Sequence, residues 1–328
     1  MAPTPTRRAA LAATAAALAA PRLARAQSDY PSRPVRIIVP FPPGQAADLL
    51  TRLVADELSK RWPQRVVVEN RGGGAGAPGV EAGARAAPDG YTLTTATSGT
   101  FGINPSVLPR LPYDAEKDFA AISGIAIVPL IVICHPAFAA RTIGELAAQA
   151  RARPGAIDVA SAGPATAQHL SAELLMLRTG LRFNIVHYRG SGPAVTDLVA
   201  GNVPVMFDSV ASALPHIRAD RARPLAVTTA RRVPQLADVP TLAETLAPGY
   251  ESVGWTGLVA PAATPPEIVR RINAEVVAIL REPAVVARMT EMVTIPQPTT
   301  PEEYAAFIRS EIAKWREVAR AANVRLEG

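Results

Sequence analysis

Val35-Arg36-Ile37-Ile38-Val39-Pro40-Phe41-Pro42-Pro43-Gly44-Gln45-Ala46-Ala47-Asp48 runs from an apolar strand, through a proline and glycine turn, to the start of a helix. A short apolar run closed by proline reads as a buried strand. Leu50, Leu53, Val54 and Leu58 then recur at helical spacing, which predicts a helix over 46–60. The same passage from strand to polar or glycine-bearing loop recurs at Thr97-Ser98-Gly99-Thr100, at Ser161-Ala162-Gly163-Pro164-Ala165-Thr166 and at Arg189-Gly190-Ser191-Gly192-Pro193. Three of the four loops lead directly into a helical run. A helix start presents amides without intrahelical acceptors and the positive end of the helix dipole. Several such starts around one cleft can hold an anion without Arg or Lys. The pattern suits a protein that grips a small carboxylate and leaves it chemically unchanged.

Outward from these loops, strands and helices alternate. Strands are predicted at 66–69, 91–95, 130–134, 157–160, 184–187, 203–207, 225–229 and 255–261, and helices at 79–87, 142–152, 166–178, 193–200 and 209–219. Such alternation with near-continuous apolar strands predicts an α/β fold whose sheets are mainly parallel and flanked by helices. Ligands of such sheets sit at the carboxyl ends of the strands, where all four loops fall. In the last third, Thr264 with Glu267 and Thr300 with Glu303 each have the spacing of a helix-capping box. The second opens a long helix to about Ala322, with Tyr304, Phe307, Ile308, Ile312 and Trp315 as its apolar stripe. These late helices follow no run of strands, so they are expected to return to the first half of the chain. The expected division is an export signal at 1–26, one discontinuous lobe from 27–127 and 253–328, and a second lobe from 128–252.

Composition excludes several classes. The chain has 328 residues, 48% of them hydrophobic and 19% charged, which is globular. Its formal charge of +6 owes much to Arg7, Arg8, Arg22 and Arg25; without them 30 basic residues face 28 acidic ones. That near-neutral balance, with no dense basic patch, argues against nucleic-acid binding. Arg7-Arg8, the apolar stretch Ala9 to Ala20 and Ala24-Arg25-Ala26 read as a cleavable export signal, and the arginine pair suggests the twin-arginine route. Cys134, the one cysteine, lies in an apolar run and is expected to be buried and inert.

Enzyme motifs are weak. Gly74-Ala75-Gly76-Ala77-Pro78-Gly79 matches the dinucleotide fingerprint, but the next strand ends in Thr-Ala-Thr-Ser and offers no acidic residue for a ribose. A nucleotide-dependent oxidoreductase using that loop is the enzyme alternative. No His pair has metal-ligand spacing, and neither a metal nor a cofactor is expected. Ser161, His169 and Asp208 could be assembled into a triad only on paper. His169, in a helix's first turn, is read as holding its loop more than touching a ligand. His187 ends a strand with no evident chemical partner. Asp48 is placed in a first turn for its favourable charge. Asp208, at the end of its strand, can face solvent, cap the next helix or accept a hydrogen bond from a ligand.

Many short strings along the chain resemble one family. They include Tyr30-Pro31-Ser32-Arg33-Pro34, Val39-Pro40-Phe41-Pro42-Pro43-Gly44, Val68-Glu69-Asn70-Arg71, Ala87-Pro88-Asp89-Gly90-Tyr91-Thr92, Ser161-Ala162-Gly163, His169-Leu170, Met206-Phe207-Asp208 and Asp238-Val239-Pro240-Thr241. Together they resemble the substrate-binding receptors of tripartite tricarboxylate transporters, the Bug or TctC-like family. The resemblance implies a two-lobed periplasmic-binding-protein fold of Venus-flytrap type. It also implies a periplasmic location, no enzymatic turnover, and delivery of a di- or tricarboxylate, acidic amino acid or aromatic acid to membrane transporter subunits. A sensor protein is the alternative recipient. By position, Phe41, Gly44, Gln45, Ala46, Ser98 and Thr100 would form one side of the ligand site. Ser161, Gly163, Ala165, Thr166 and His169 would form the other, with Asp208 at the rim. Gln45-Ala46 stand where the family usually has glycines, and Ala165 stands where it usually has another. Side chains therefore project where bare backbone would allow close approach, and Gln45 is expected to narrow the pocket or donate a hydrogen bond of its own.

Overall fold

The computed structural model describes residues 30–326. The expected export signal and the arginine pair lie outside those residues. The first strand, β1 (Val35–Val39), is buried along almost its whole length, and α1 (Ala46–Arg61) covers it with Leu50, Leu53, Val54 and Leu58. Each such side chain contributes about 1.5–3 kcal/mol on burial. Pro63 follows α1 and forbids its continuation. The chain goes on through β2 (Val66–Asn70), a tight glycine turn, α2 (Ala77–Ala84), β3 (Thr92–Thr97), a π-helical turn at 98–103 and a short α3 (Asn104–Val107).

The sheet is mixed. Its strand order is β2-β1-β3-β9-β4-β7-β5-β6, with β4 (Phe119–Cys134), β5 (Asp158–Ser161), β6 (Asn184–His187), β7 (Val205–Ser209) and β9 (Val253–Pro261). Two further strands, β8 (Arg223–Val227) and β10 (Ile295–Pro296), also pair with β4. The pairs β1–β2, β1–β3, β5–β6 and β5–β7 are parallel, as alternation predicts. Every antiparallel pair among the described residues involves β4 or β9. These two strands run side by side to the pair Pro129↔Val253; from Leu130 onward β4 pairs with β7 instead. One strand is thus shared by two halves of the sheet. The sequence pattern shows only the apolar second half of β4, because Ala120, Ala121, Ser123, Gly124 and Pro129 are poor strand formers outside that pairing.

Helices α4 (Ile143–Ala152), α5 (Ala167–Thr179), α6 (Ser191–Ala200), α7 (Val210–Arg218) and α8 (Leu242–Thr245) belong to the segment between β4 and β9. After β9 come α9 (Pro266–Leu280), α10 (Pro283–Glu291) and α11 (Pro301–Ala321). The Thr300–Glu303 capping box forms with both of its arms. The expected Thr264 cap does not. Two consecutive prolines shift the helix start, Pro265 becomes the N-cap, and the buried Thr264 hydroxyl has no hydrogen-bond partner.

Helix α11 touches two cores. Tyr304, Ile308 and Ile312 pack with Phe101, Phe119 and Trp255, whereas Trp315, Val318 and Ala319 join the cluster containing Leu174, Val205 and Phe207. At the join, Glu311 is 4% exposed. Its Oε2 accepts hydrogen bonds from Trp255 Nε1 at 2.9 Å and Trp315 Nε1 at 3.0 Å, and Oε1 pairs with Lys314. Cys134 is fully buried, and burial pushes its thiol above the usual range. No helix among the described residues is long and apolar enough to cross a membrane.

Candidate functional site

The loop between β1 and α1 is held open by a buried carboxylate. Gly44 adopts φ +85°, a left-handed turn that favours glycine. Its amide donates to Asp48 Oδ2 at 2.9 Å, Asn70 Nδ2 donates to Asp48 Oδ1 at 2.8 Å, and Arg52 Nε lies 3.0 Å from both oxygens. Asn70 Nδ2 also donates to the Phe41 carbonyl at 3.0 Å. Burial works to raise the Asp48 carboxyl, but the bonds from Arg52, Gly44 and Asn70 outweigh it and hold the group below the usual carboxylate range. The first turn of α1 therefore carries its own internal anion on its buried side. Gln45 and Ala46 are exposed, and Gln45, the N-cap residue, makes no side-chain cap bond, so its amide is free to reach outward.

This arrangement makes a prediction. Asp48→Ala should cost about 2 kcal/mol, because the Gly44 and Asn70 amides and the Arg52 guanidinium all lose their acceptor. In the parent, a depressed carboxyl contributes stability that is full above its unfolded pKa of about 3.9 and is lost as pH falls through the lower folded value. Acid denaturation of parent and variant should therefore converge below that pH.

After β3, Thr97 and Thr100 cap the π-helical turn reciprocally, with Thr100 N–H to Thr97 Oγ1 at 3.3 Å and Thr97 N–H to Thr100 Oγ1 at 3.2 Å. Thr100 is fully buried with its hydroxyl used in the cap, and Ser98 is 7% exposed. The glycine loop packs beneath both turns. A Cβ at Gly76 would lie 2.7 Å from Thr100 Cγ2, and one at Gly79 would lie 2.5 Å from the Arg71 carbonyl. Close backbone approach accounts for these glycines without a nucleotide.

The loop between β5 and α5 is built on hydroxyls. Thr166, the N-cap of α5, accepts from His169 N–H at 3.3 Å and donates to the Gly163 carbonyl at 2.8 Å. The amides of Ala167 and Gln168, ahead of the first intrahelical bond, keep the free-donor character of a helix start. Ala165 holds φ +53°, a left-handed conformation that costs a non-glycine residue about 1–2 kcal/mol. Its amide donates to His169 Nδ1 at 3.0 Å, which gives His169 the loop-holding role read from its position. His169 Nε2 lies 3.4 Å from Glu173 Oε1. Ser161 is 1% exposed, and its Oγ lies 2.9 Å from His187 Nδ1. That partner, 26 positions on, is one the sequence does not reveal.

Asp208 lies inside β7, paired with Ile131, and is fully buried. It neither faces solvent nor caps α7, a role taken by Ser209. Its Oδ1 accepts from Ser191 Oγ at 2.6 Å and Ser209 N–H at 2.8 Å, while Oδ2 is buried without a hydrogen-bond partner. Burial raises its carboxyl above the usual range against the opposing Ser191, nearby Ser212, the Ser209 amide and His216. Ser191 opens α6, so the fourth loop already has a carboxylate of the protein at its helix start. At α1 the protein's own carboxylate lies on the buried side, at α6 Asp208 meets Ser191, and the first turn of α5 carries no acidic residue; α1 and α5 lie one on each side of the shared strand.

The profile of the family described as "Tripartite tricarboxylate transporter family receptor" (TctC) matches residues 50–324. The chain belongs to that family of receptors. It is 36% identical to protein BugT of Bordetella pertussis over 299 residues, 91% of this chain and 92% of BugT. Among solved structures, Rpa4515 of R. palustris with adipate has 35% identity and a TM-score of 0.80, covering 90% of this chain and 99% of that one. MatC from Rhodopseudomonas palustris with bound malate has 31% identity and a TM-score of 0.75, covering 88% and 99%.

Proposed function

We infer that this protein captures a small carboxylate between two lobes and delivers it to the membrane subunits of a tripartite tricarboxylate transporter. The observation that carries the reading is the pair of helix starts, α1 and α5, at carboxyl strand ends on opposite sides of the strand β4. An acid group with its oxygens met by main-chain amides escapes the cost of burial. Adipate and malate, bound by two relatives, are small dicarboxylates of the class this site would take.

In this reading, residues 27–127 with 253–328 form one lobe and 128–252 the other. The change of partner along β4 at Pro129 and Leu130, opposite Val253, supplies a hinge of two neighbouring strands. Closure brings the Gln45 and Ala46 side to the Ser161–Thr166 side and shields the acid from water. The ligand leaves as it came, and the receptor works in the periplasm after export.

A thermal-shift screen tests this with malate, adipate, citrate, glutamate and nicotinate. An acid present at 100 times its dissociation constant should stabilise the receptor by about 2.7 kcal/mol. No shift with any acid, or a product accumulating with time, would overturn the reading.

A further inference from the structure

We propose that His187 is a further binding residue of the second anion site, donating its Nε2–H to the ligand's acid group and strengthening that hold when it gains a proton. The inference rests on the reading of α5 as half of a carboxylate site.

His187 ends β6 in register with Ser161, which ends β5. The segment after it borders the candidate loop, with Tyr188 N–H bonded to the Ser161 carbonyl at 3.1 Å and Gly190 N–H bonded to the Ala162 carbonyl at 2.9 Å. The ring is fixed at two points. Nδ1 lies 2.9 Å from Ser161 Oγ, and the His169 ring packs edge to face with it at 4.5 Å between centroids. Ser161 is buried whereas His187 is exposed, so the anchored edge faces inward and the other edge is open. No described residue hydrogen-bonds its Nε2. When Ser161 O–H donates to Nδ1, the neutral ring carries its hydrogen on Nε2, and that donor faces outward. A ring held in one tautomer and one orientation is a preorganised donor, and it is anchored to Ser161, which leads into the loop before α5, and to His169 in the first turn of α5.

Two groups on α5 bear on the titration of His187, and Arg189 follows it two positions on. The two are His169, which opposes its protonation, and Glu173, which favours it; on β5 its register partner is the neutral Ser161, and Asp158 stands at the far end of that strand, opposite Asn184. Burial and His169 hold the His187 imidazole below its ordinary value. A carboxylate at Nε2 acts in the opposite direction. The ligand then binds with uptake of a proton, and affinity rises as pH falls from the bound pKa to the free one. By reciprocity, a rise of about one unit in the bound state gives about tenfold tighter binding.

The test is the dissociation constant of the tightest acid of the panel across pH of about 5.5 to 8, where histidine titrates, with the acid's own ionisation allowed for. The parent should bind about tenfold tighter at the acidic end, and His187→Gln should show a flat profile. The imidazole signals of His187 in the intact parent, followed by NMR, should titrate about one unit higher with the acid than without it. That measurement stands whether or not the variant folds. A flat parent profile, a profile that survives in His187→Gln, or an imidazole indifferent to the acid would overturn the inference while leaving the carboxylate site standing. If no acid of the panel binds, the site reading falls and this inference with it.

Discussion

Glu311→Leu should destabilise the protein by about 3 kcal/mol, and Glu311→Gln by only about 1. The carboxylate is almost fully enclosed and accepts both the Trp255 and the Trp315 indole N–H. Leucine fills similar space but leaves two buried donors unmet, each worth about 1–3 kcal/mol. Glutamine keeps a carbonyl oxygen in place for the indoles and loses only the charge and the Lys314 pair, which is a partly exposed contact of small value. The difference between the two variants isolates hydrogen bonding from charge. Two of the three tryptophans of the chain sit on this carboxylate, so denaturant unfolding followed by tryptophan fluorescence reads the site directly. Equal stability of parent and Glu311→Leu would show that the indoles find other partners. Trp255 lies on β9, which flanks the shared strand β4, and Trp315 on α11, which packs against both cores. Glu311 is therefore placed where the second core meets the first.

That junction is the part of the fold that sequence pattern conveys least. The β1-loop-α1 unit is readable because a five-residue strand, four of its residues apolar, meets proline and then a helical stripe. Strand β4 is different. Its first eleven residues are rich in Ala, Ser and Gly and are extended because β9 flanks them, a long-range pairing that no local preference encodes. The antiparallel pairs follow from the same two strands, so regular alternation predicts parallel neighbours correctly and misses how the halves join. Helix α10 and the displaced start of α9 depend on Pro265, Pro266 and Pro283, residues that fit a first turn as readily as a loop. Within the site, the strand-loop-helix passages mark where helix starts lie. They do not show that Asp208 meets Ser191 or that Ser161 meets His187, because those pairs are made across neighbouring strands and loops, 17 and 26 positions apart.

Thr166→Asp should weaken carboxylate binding by 100-fold or more with little change in stability. Thr166 serves α5 as its N-cap, with its hydroxyl accepting from His169 N–H and donating to Gly163 O. Aspartate caps helices as well as threonine does, and its charge suits the helix dipole. The fold should therefore lose no more than about 1 kcal/mol, chiefly the bond to the Gly163 carbonyl. The anion site, by contrast, would hold a second carboxylate where the ligand's acid must sit. Two like charges a few ångströms apart repel by about 4 kcal/mol at a partly screened protein surface, and a 100-fold loss requires less than 3. Thr166→Asn supplies the neutral control: it caps equally well and brings no charge, so its affinity should stay within about tenfold of the parent. Calorimetric titration with the acid that gives the largest thermal shift measures all three proteins. If Thr166→Asp bound that acid as tightly as Thr166→Asn, the start of α5 would not be where the acid group rests.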